Sequence, residues 1–149
     1  MKKLSDKLYK KILKNMPICC IDGLLHYRNK FILFKRSYEP AKNRWWIFGG
    51  RLNKEESLAD GVLRKAKEEL GIKIKIEKLI GTYETTFKKS RQGIPVHTVN
   101  IVFLVTSSKK PDFSKAEYKE FSKVRIFDKI NKAWHPYIKQ IIKDSGILK

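Results

Sequence analysis

The sequence predicts an α/β fold in which a mixed β-sheet lies between helices, built as a single domain over residues 1–149. Three observations lead there. Residues 3 to 15 carry Leu4, Leu8, Tyr9, Ile12 and Leu13 on one helical stripe. Several short apolar segments punctuated by turn residues read as strands. Between them, a capped amphipathic helix follows directly on a strand that ends in Gly49-Gly50.

The leading helix, assigned to residues 1–16, closes before Pro17, which disfavours helical backbone in the residue ahead of it. ICCIDGLLHY and KFILFKRS follow as two extended segments joined at the polar turn Arg28-Asn29-Lys30. YEPAKNR is a loop, with Pro40 and Asn43 as breakers. WWIF is a short buried strand leading into the glycine pair. In the helix that follows, Ser57 is the expected N-cap, Asp60 stands where a capping box places an acidic partner, and Gly71 stops the helix. Leu58, Val62, Ala66 and Leu70 form its apolar seam. Gly61 costs roughly 1 kcal/mol there relative to alanine, which points to close packing at that position. IKIKIEKLIGTYETTFK reads as a long strand and HTVNIVFLVTS as the most apolar, central one. SKKPDFSKAEYKE is a polar loop, FSKVRIF a further strand, and the chain from Asp128 is helical with a break at Pro136.

Composition narrows the function classes. The chain carries 34 Lys and Arg against 15 Asp and Glu, a net charge of +19, and 42% of its residues are apolar. A field of that sign attracts anions, whether nucleotides, nucleic acid or acidic membrane surfaces. The lysines are spread along the whole chain, which fits a solvated basic surface or attraction of a small anionic substrate better than a dedicated nucleic-acid site. No apolar run approaches ~20 residues, and MKKLSDKLYKKILKNM lacks a signal peptide's apolar stretch, so a cytoplasmic protein without a membrane span is expected. Cys19 and Cys20 are adjacent. In a strand their side chains point to opposite faces, which favours two reduced thiols over a disulfide.

The chemistry concentrates between residues 50 and 72. Gly49-Gly50 lets backbone approach a ligand and offers a carbonyl to a cation. Consecutive Glu68 and Glu69 near a helix C-terminus are disfavoured by the dipole and by mutual repulsion, and a divalent cation would compensate. Taken alone, the helix could instead be a solvated one with Arg64–Glu68 and Lys65–Glu69 ion pairs. What argues against that reading is the set of fixed offsets. In GRLNKEESLADGVLRKAKEELGI, the residues Gly50, Glu56, Arg64, Glu68, Glu69, Gly71 and Ile72 fall on the pattern Gly-x5-Glu-x7-Arg-Glu-U-x-Glu-Glu-x-Gly-U (U aliphatic). Lys65 stands where that pattern has a further Glu, and Ala66 where it has an aliphatic residue. The segment resembles the Nudix box of enzymes that hydrolyse a nucleoside diphosphate linked to another moiety.

That resemblance implies an α/β/α sandwich of the Nudix type and dependence on Mg²⁺, with Mn²⁺ as a substitute. It implies Glu68, Glu69 and the Gly49 carbonyl as metal ligands, and catalytic parts for Arg51, Glu56, Arg64, Glu68 and Glu69. A lysine at position 65 is charged at neutral pH and cannot serve as a base. The chain is then inactive, or activates water elsewhere, or runs a reaction that asks less of this helix.

The stretch from Lys35 to Arg51, with Lys35-Arg36, Pro40-Ala41, Trp45-Trp46 and Gly49-Gly50-Arg51, resembles the GDP-mannose mannosyl hydrolase branch. That branch attacks the anomeric carbon of the sugar and lacks the same helical Glu. The resemblance implies that Arg36 and Arg51 clamp the diphosphate, a task suited to guanidinium forks, and that Asp22 contacts the sugar. It also suggests a homodimer packed through the leading helix. Two departures stand out: both Glu68 and Glu69 are kept, and the late loop contains no His. Glu117 or Glu120 is the candidate replacement base, and His97, at the start of the central strand, a candidate substrate contact. Three readings follow: a GDP-sugar hydrolase attacking carbon, a pyrophosphatase attacking phosphorus in a nucleoside diphosphate sugar, ADP-ribose or a nucleoside triphosphate, and a non-catalytic nucleotide- or RNA-binding module.

Overall fold

The computed structural model describes residues 3–114 and 120–148. Helix α1 spans Asp6–Asn15, capped by Ser5, whose Oγ accepts from the Leu8 amide at 3.2 Å. Strand β1 (Ile18–Tyr27) turns into β2 (Lys30–Arg36) through Arg28 and Asn29, both with positive φ, as a tight two-residue hairpin requires. The expected single strand WWIF is two. Trp45–Trp46 is β3, on β2, and Phe48–Arg51 is β4, on β1. Strands β1 and β2 pair directly only over Leu25–Tyr27 and Lys30–Ile32, so the chain changes partner at Ile47 to fill the gap between them.

Helix α2 (Leu58–Leu70) is followed by β5 (Lys75–Phe87), β6 (Val96–Thr106), β7 (Phe121–Phe127) and helix α3 (Pro136–Ser145). The sheet runs β3-β2-β1-β6-β5, with β4 added to β1 and β7 to β2. Among the described residues only β1 and β6 run parallel, so the sheet is mixed, and β6 lies inside it as its apolar sequence predicts.

Its two faces carry separate cores. Val62, Ala66 and Leu70 of α2 pack on Ile21, Leu25, Phe34 and Phe48. Ile138, Ile141 and Ile142 of α3 pack on Leu24, Phe31, Leu33 and Trp46. This is the α/β/α sandwich. Leu58, placed by its spacing on the α2 seam, is exposed instead, because the helix begins there and overhangs the core. At α3 the expectation is corrected. Pro136 does not break a helix; it starts one at the first-turn position, where its missing N–H costs nothing, and His135 Nδ1 caps the Tyr137 amide at 3.1 Å. Helix α1 covers a third, small cluster of Leu13, Ile18 and Val96 at one end of the sheet. Among the described residues no helix is long and apolar enough to cross a membrane.

Candidate active site

The N-terminal half of β1 and all of β4 form the floor. Asp22 pairs with Gly49, Ile21 with Gly50 and Cys20 with Arg51. Gly49 has φ 154°, and a Cβ there would lie 2.0 Å from Asp22 Oδ1 and 2.6 Å from the Ile21 carbonyl oxygen, so only glycine lets the two strands meet. Above this floor opens a cleft of about 390 Å³, walled by α1, α2, the ends of β2 and β6, and the segments before β3 and β6.

Arg64 fastens α2 to the floor. Its Nε and Nη2 donate to Glu56 at 2.6 and 3.0 Å, Nη2 also reaches the Arg51 carbonyl at 3.1 Å, and Nη1 donates to Glu68 at 3.1 Å. Glu56 also accepts from the Asn53 amide at 3.0 Å, and the Arg64 hydrogen bonds hold its carboxyl below the ordinary value. Glu56 and Arg64 therefore shape the loop between β4 and α2 and do not line the cleft. Glu68 turns outward, its side chain 52% exposed, onto Arg64 and Lys65. Glu69 faces the cleft, its side chain only 9% exposed. One of its oxygens accepts from the Gly49 amide at 3.2 Å and the other lies 2.6 Å from Lys65 Nζ. Burial raises the Glu69 carboxyl, against the attraction of Lys65.

Asp22, 7% exposed, accepts a 2.5 Å hydrogen bond from the Tyr137 hydroxyl. Burial pushes its carboxyl up to about 7; Tyr137, Arg36 and Lys65 oppose the rise and nearby Glu69 adds to it. Arg36 projects into the cleft from the end of β2, anchored by Nε to the Pro40 carbonyl at 2.7 Å. Burial lowers its guanidinium, opposed by Glu69, Glu120 and Asp22. Arg51 lies 4.5 Å over the Tyr9 ring, so the leading helix contributes to the cleft wall. At the rim, Glu120 pairs with Arg91 at 2.8 Å, and Arg91 stacks 4.0 Å over Tyr38. Glu117 lies outside the described residues.

The structure thus brings Asp22, Arg36, Gly49, Arg51, Glu69 and Glu120 to one cleft. His97 is not among them. It alternates with the cleft-lining Val96 and Thr98, projects from the other face of the sheet and pairs with Glu84 at 2.9 Å, half exposed. Cys19 and Cys20 are both free, as expected.

Several residues that build the cleft were not singled out from the sequence. Tyr137 and Asp22 are 115 residues apart, and no local pattern joins them. Lys65, read as a departure from the box and as an ion-pair partner of Glu69, makes that pair and also lines the cleft. Asn100, 4% exposed beside the Thr85–Thr98 hydroxyl pair, did leave a trace: an asparagine in the most apolar strand of the chain.

Among the described residues no three His, Cys, Asp or Glu side chains gather as a protein-only metal cage would need. Magnesium does not require one. It takes one or two carboxylates and completes its shell with water and phosphate oxygens, and Glu69, a buried carboxylate facing the cleft beside the Gly49 backbone, fits that role.

The Nudix domain family model matches residues 21–144. The low-salt glycan biosynthesis protein Agl8 of Haloferax volcanii is 29% identical over 142 residues, spanning 94% of this chain and 89% of its own. An ADP-ribose pyrophosphatase of Methanocaldococcus jannaschii is 32% identical over 89 residues, 60% of this chain and 50% of that one. A MutT Nudix hydrolase from Burkholderia pseudomallei has the same fold, with a TM-score of 0.69 over 87% of this chain and 98% of that one at 21% identity. The cleft, the box that frames it and the matched family model converge: the chain belongs to the Nudix family.

Proposed function

We propose that this protein is a Mg²⁺-dependent hydrolase, with Mn²⁺ able to substitute, of a nucleoside diphosphate linked to a sugar, and that water attacks phosphorus in the diphosphate. The observation that carries this is the composition of the cleft: Arg36, Arg51 and Lys65 surround the buried carboxylates Glu69 and Asp22. These cations in a partly desolvated pocket suit a diphosphate, and the forked guanidinium groups suit its paired oxygens. The similarity to an ADP-ribose pyrophosphatase supports attack at phosphorus, and the relative named for glycan biosynthesis supports a sugar-bearing substrate.

The reaction consumes one water and yields a nucleoside monophosphate and a sugar phosphate. Arg36 and Arg51 bind and orient the diphosphate. Glu69, steadied by the Gly49 amide, would hold the divalent cation, which would offset phosphate charge. The water's proton passes to a carboxylate of the cleft, Asp22 on the floor or Glu120 at the rim.

A second reading keeps one observation in its favour. Lys65 pairs with Glu69 at 2.6 Å and Glu68 points outward, so α2 presents a single carboxylate to the cleft. A helix so reduced also fits attack on the anomeric carbon of a GDP-sugar such as GDP-mannose, releasing GDP and free sugar.

A screen of nucleotide sugars and ADP-ribose under Mg²⁺ and Mn²⁺, with products identified, tests the proposal. Turnover to a nucleoside monophosphate is expected, abolished in Glu69→Gln, whose side-chain carbonyl can still accept from the Gly49 amide and whose folding is checked by thermal unfolding. Nucleotide binding without turnover of any substrate would leave a binding module instead.

A further inference from the structure

Lys65 departs from the box, yet the structure gives it a place at the centre of the site. Its side chain is 16% exposed, and its Nζ lies 2.6 Å from Glu69 and 3.6 Å from Glu68, between the two box carboxylates. Its stem crosses Gly50: a Cβ on that glycine would lie 3.0 Å from Lys65 Cε and 3.2 Å from Nζ. Gly50 does not have positive φ, so its backbone does not demand glycine. The missing Cβ instead leaves the lysine its path into the cleft, which Lys65 lines.

Four other cations line the cleft, Lys3, Arg36, Arg51 and Arg91, and three of them have anchors of their own. Arg91 is held by Glu120 and Tyr38, Arg36 is anchored to Pro40, and Arg51 lies on Tyr9. An ammonium has three donors. Glu69 takes one at short range and Glu68 is at the far limit of a second, which leaves donor capacity on the side of the cleft. A single positive charge held beside Glu69 and lining the cleft offers an anion one charge-assisted donor, in addition to any divalent cation.

We propose that Lys65 is a diphosphate-binding residue, its ammonium bridging Glu69 and a phosphate oxygen so that the protein itself supplies one of the positive charges the anion needs. This rests on the diphosphate reading above and adds to it a defined contact. It follows that nucleoside diphosphates bind measurably without any divalent cation.

The test is calorimetric titration of ADP and GDP in EDTA, with adenosine and guanosine as phosphate-free controls, against wild type, Lys65→Gln, Glu69→Gln and the double variant. Glu69→Gln removes the charge that Lys65 neutralises, so comparing it with the double variant isolates the lysine from any repulsion by an unpaired Glu69. Loss of one charge-assisted contact predicts roughly 10- to 100-fold weaker diphosphate binding in the double variant than in Glu69→Gln, with nucleoside binding unmoved. Equal affinities in those two proteins would overturn the inference, and so would wild-type binding that appears only when Mg²⁺ is added. If wild type binds no nucleoside diphosphate under either condition, the diphosphate reading falls as well, so the two failures are distinguishable.

Discussion

At the scale of single residues the site is governed by what burial does to charge. Asp22 is enclosed by β4, Tyr137 and Glu69, and its carboxyl is raised from 3.8 to about 7. A carboxyl raised in the folded state holds its proton where the unfolded chain has lost it. The stability this contributes is fully present below the unfolded value and is lost as pH rises through the folded one. Metal-free protein should therefore lose stability between about pH 4 and pH 7, by up to ~4 kcal/mol from this group, and level off above that. Thermal unfolding across this range checks it, and Asp22→Asn should flatten the decline; an unchanged slope in the variant would assign the effect to other groups. Glu69 is raised by the same cause, but Lys65 stands against it. Lys65 thus has two effects on the site: it opposes the rise that burial imposes on Glu69, and it holds that side chain in place.

At the scale of elements, α2 and β4 act as one unit. Arg64 ties Glu56, Glu68 and the Arg51 carbonyl together, and Gly61 lets the helix sit close to the floor. A Cβ at Gly61 would lie 3.0 Å from Leu52 Cδ1, 3.1 Å from Ile21 Cγ2 and 3.3 Å from Glu56 Oε2. The helix-propensity gain of ~1 kcal/mol from filling that glycine is outweighed once a branched side chain enters. Gly61→Val should destabilise by about 2 kcal/mol or more, within the usual cost of overpacking, and denaturant unfolding measures it. A stabilised variant would show that the helix has room to shift. Elements also mark how far the sequence could be read. The box spans one strand end and one helix, so its caps, seam and charged residues obey local spacings, and Ser57, Gly71, Val62 and Ala66 stand where those spacings put them. WWIF split because its partners diverge, which depends on β1 and β2 and not on its own residues. His97 was placed near the substrate by its position in a strand, but which face of β6 it occupies is decided by register with β1 and β5.

At the scale of the whole molecule, the +19 charge surrounds a cleft whose own lining is balanced, with Lys3, Arg36, Arg51, Lys65 and Arg91 facing Asp6, Asp22, Glu39, Glu69 and Glu120. Steering by such a field weakens with ionic strength. The kcat/KM for an anionic substrate should fall several-fold between about 50 and 500 mM salt, with kcat changing less; a flat profile would confine the charge to a solvating role. The cleft also joins distant parts of the chain. Asp22 of β1 meets Tyr137 of α3, and Tyr9 of α1 meets Arg51 of β4. Long-range closures of this kind leave no periodicity or spacing, which is why Tyr137 and Tyr9 were missed as cleft residues, whereas Asp22, Arg36 and Arg51 could be named through the family resemblance. The proposed reaction is attack of water on phosphorus in a nucleoside diphosphate sugar. Hydrolysis in water enriched in oxygen-18, followed by mass spectrometry of the products, tests it most directly. The label is predicted in a phosphate group, of either the nucleoside monophosphate or the sugar phosphate. Label in free sugar, with the nucleoside diphosphate released unlabelled, would contradict it.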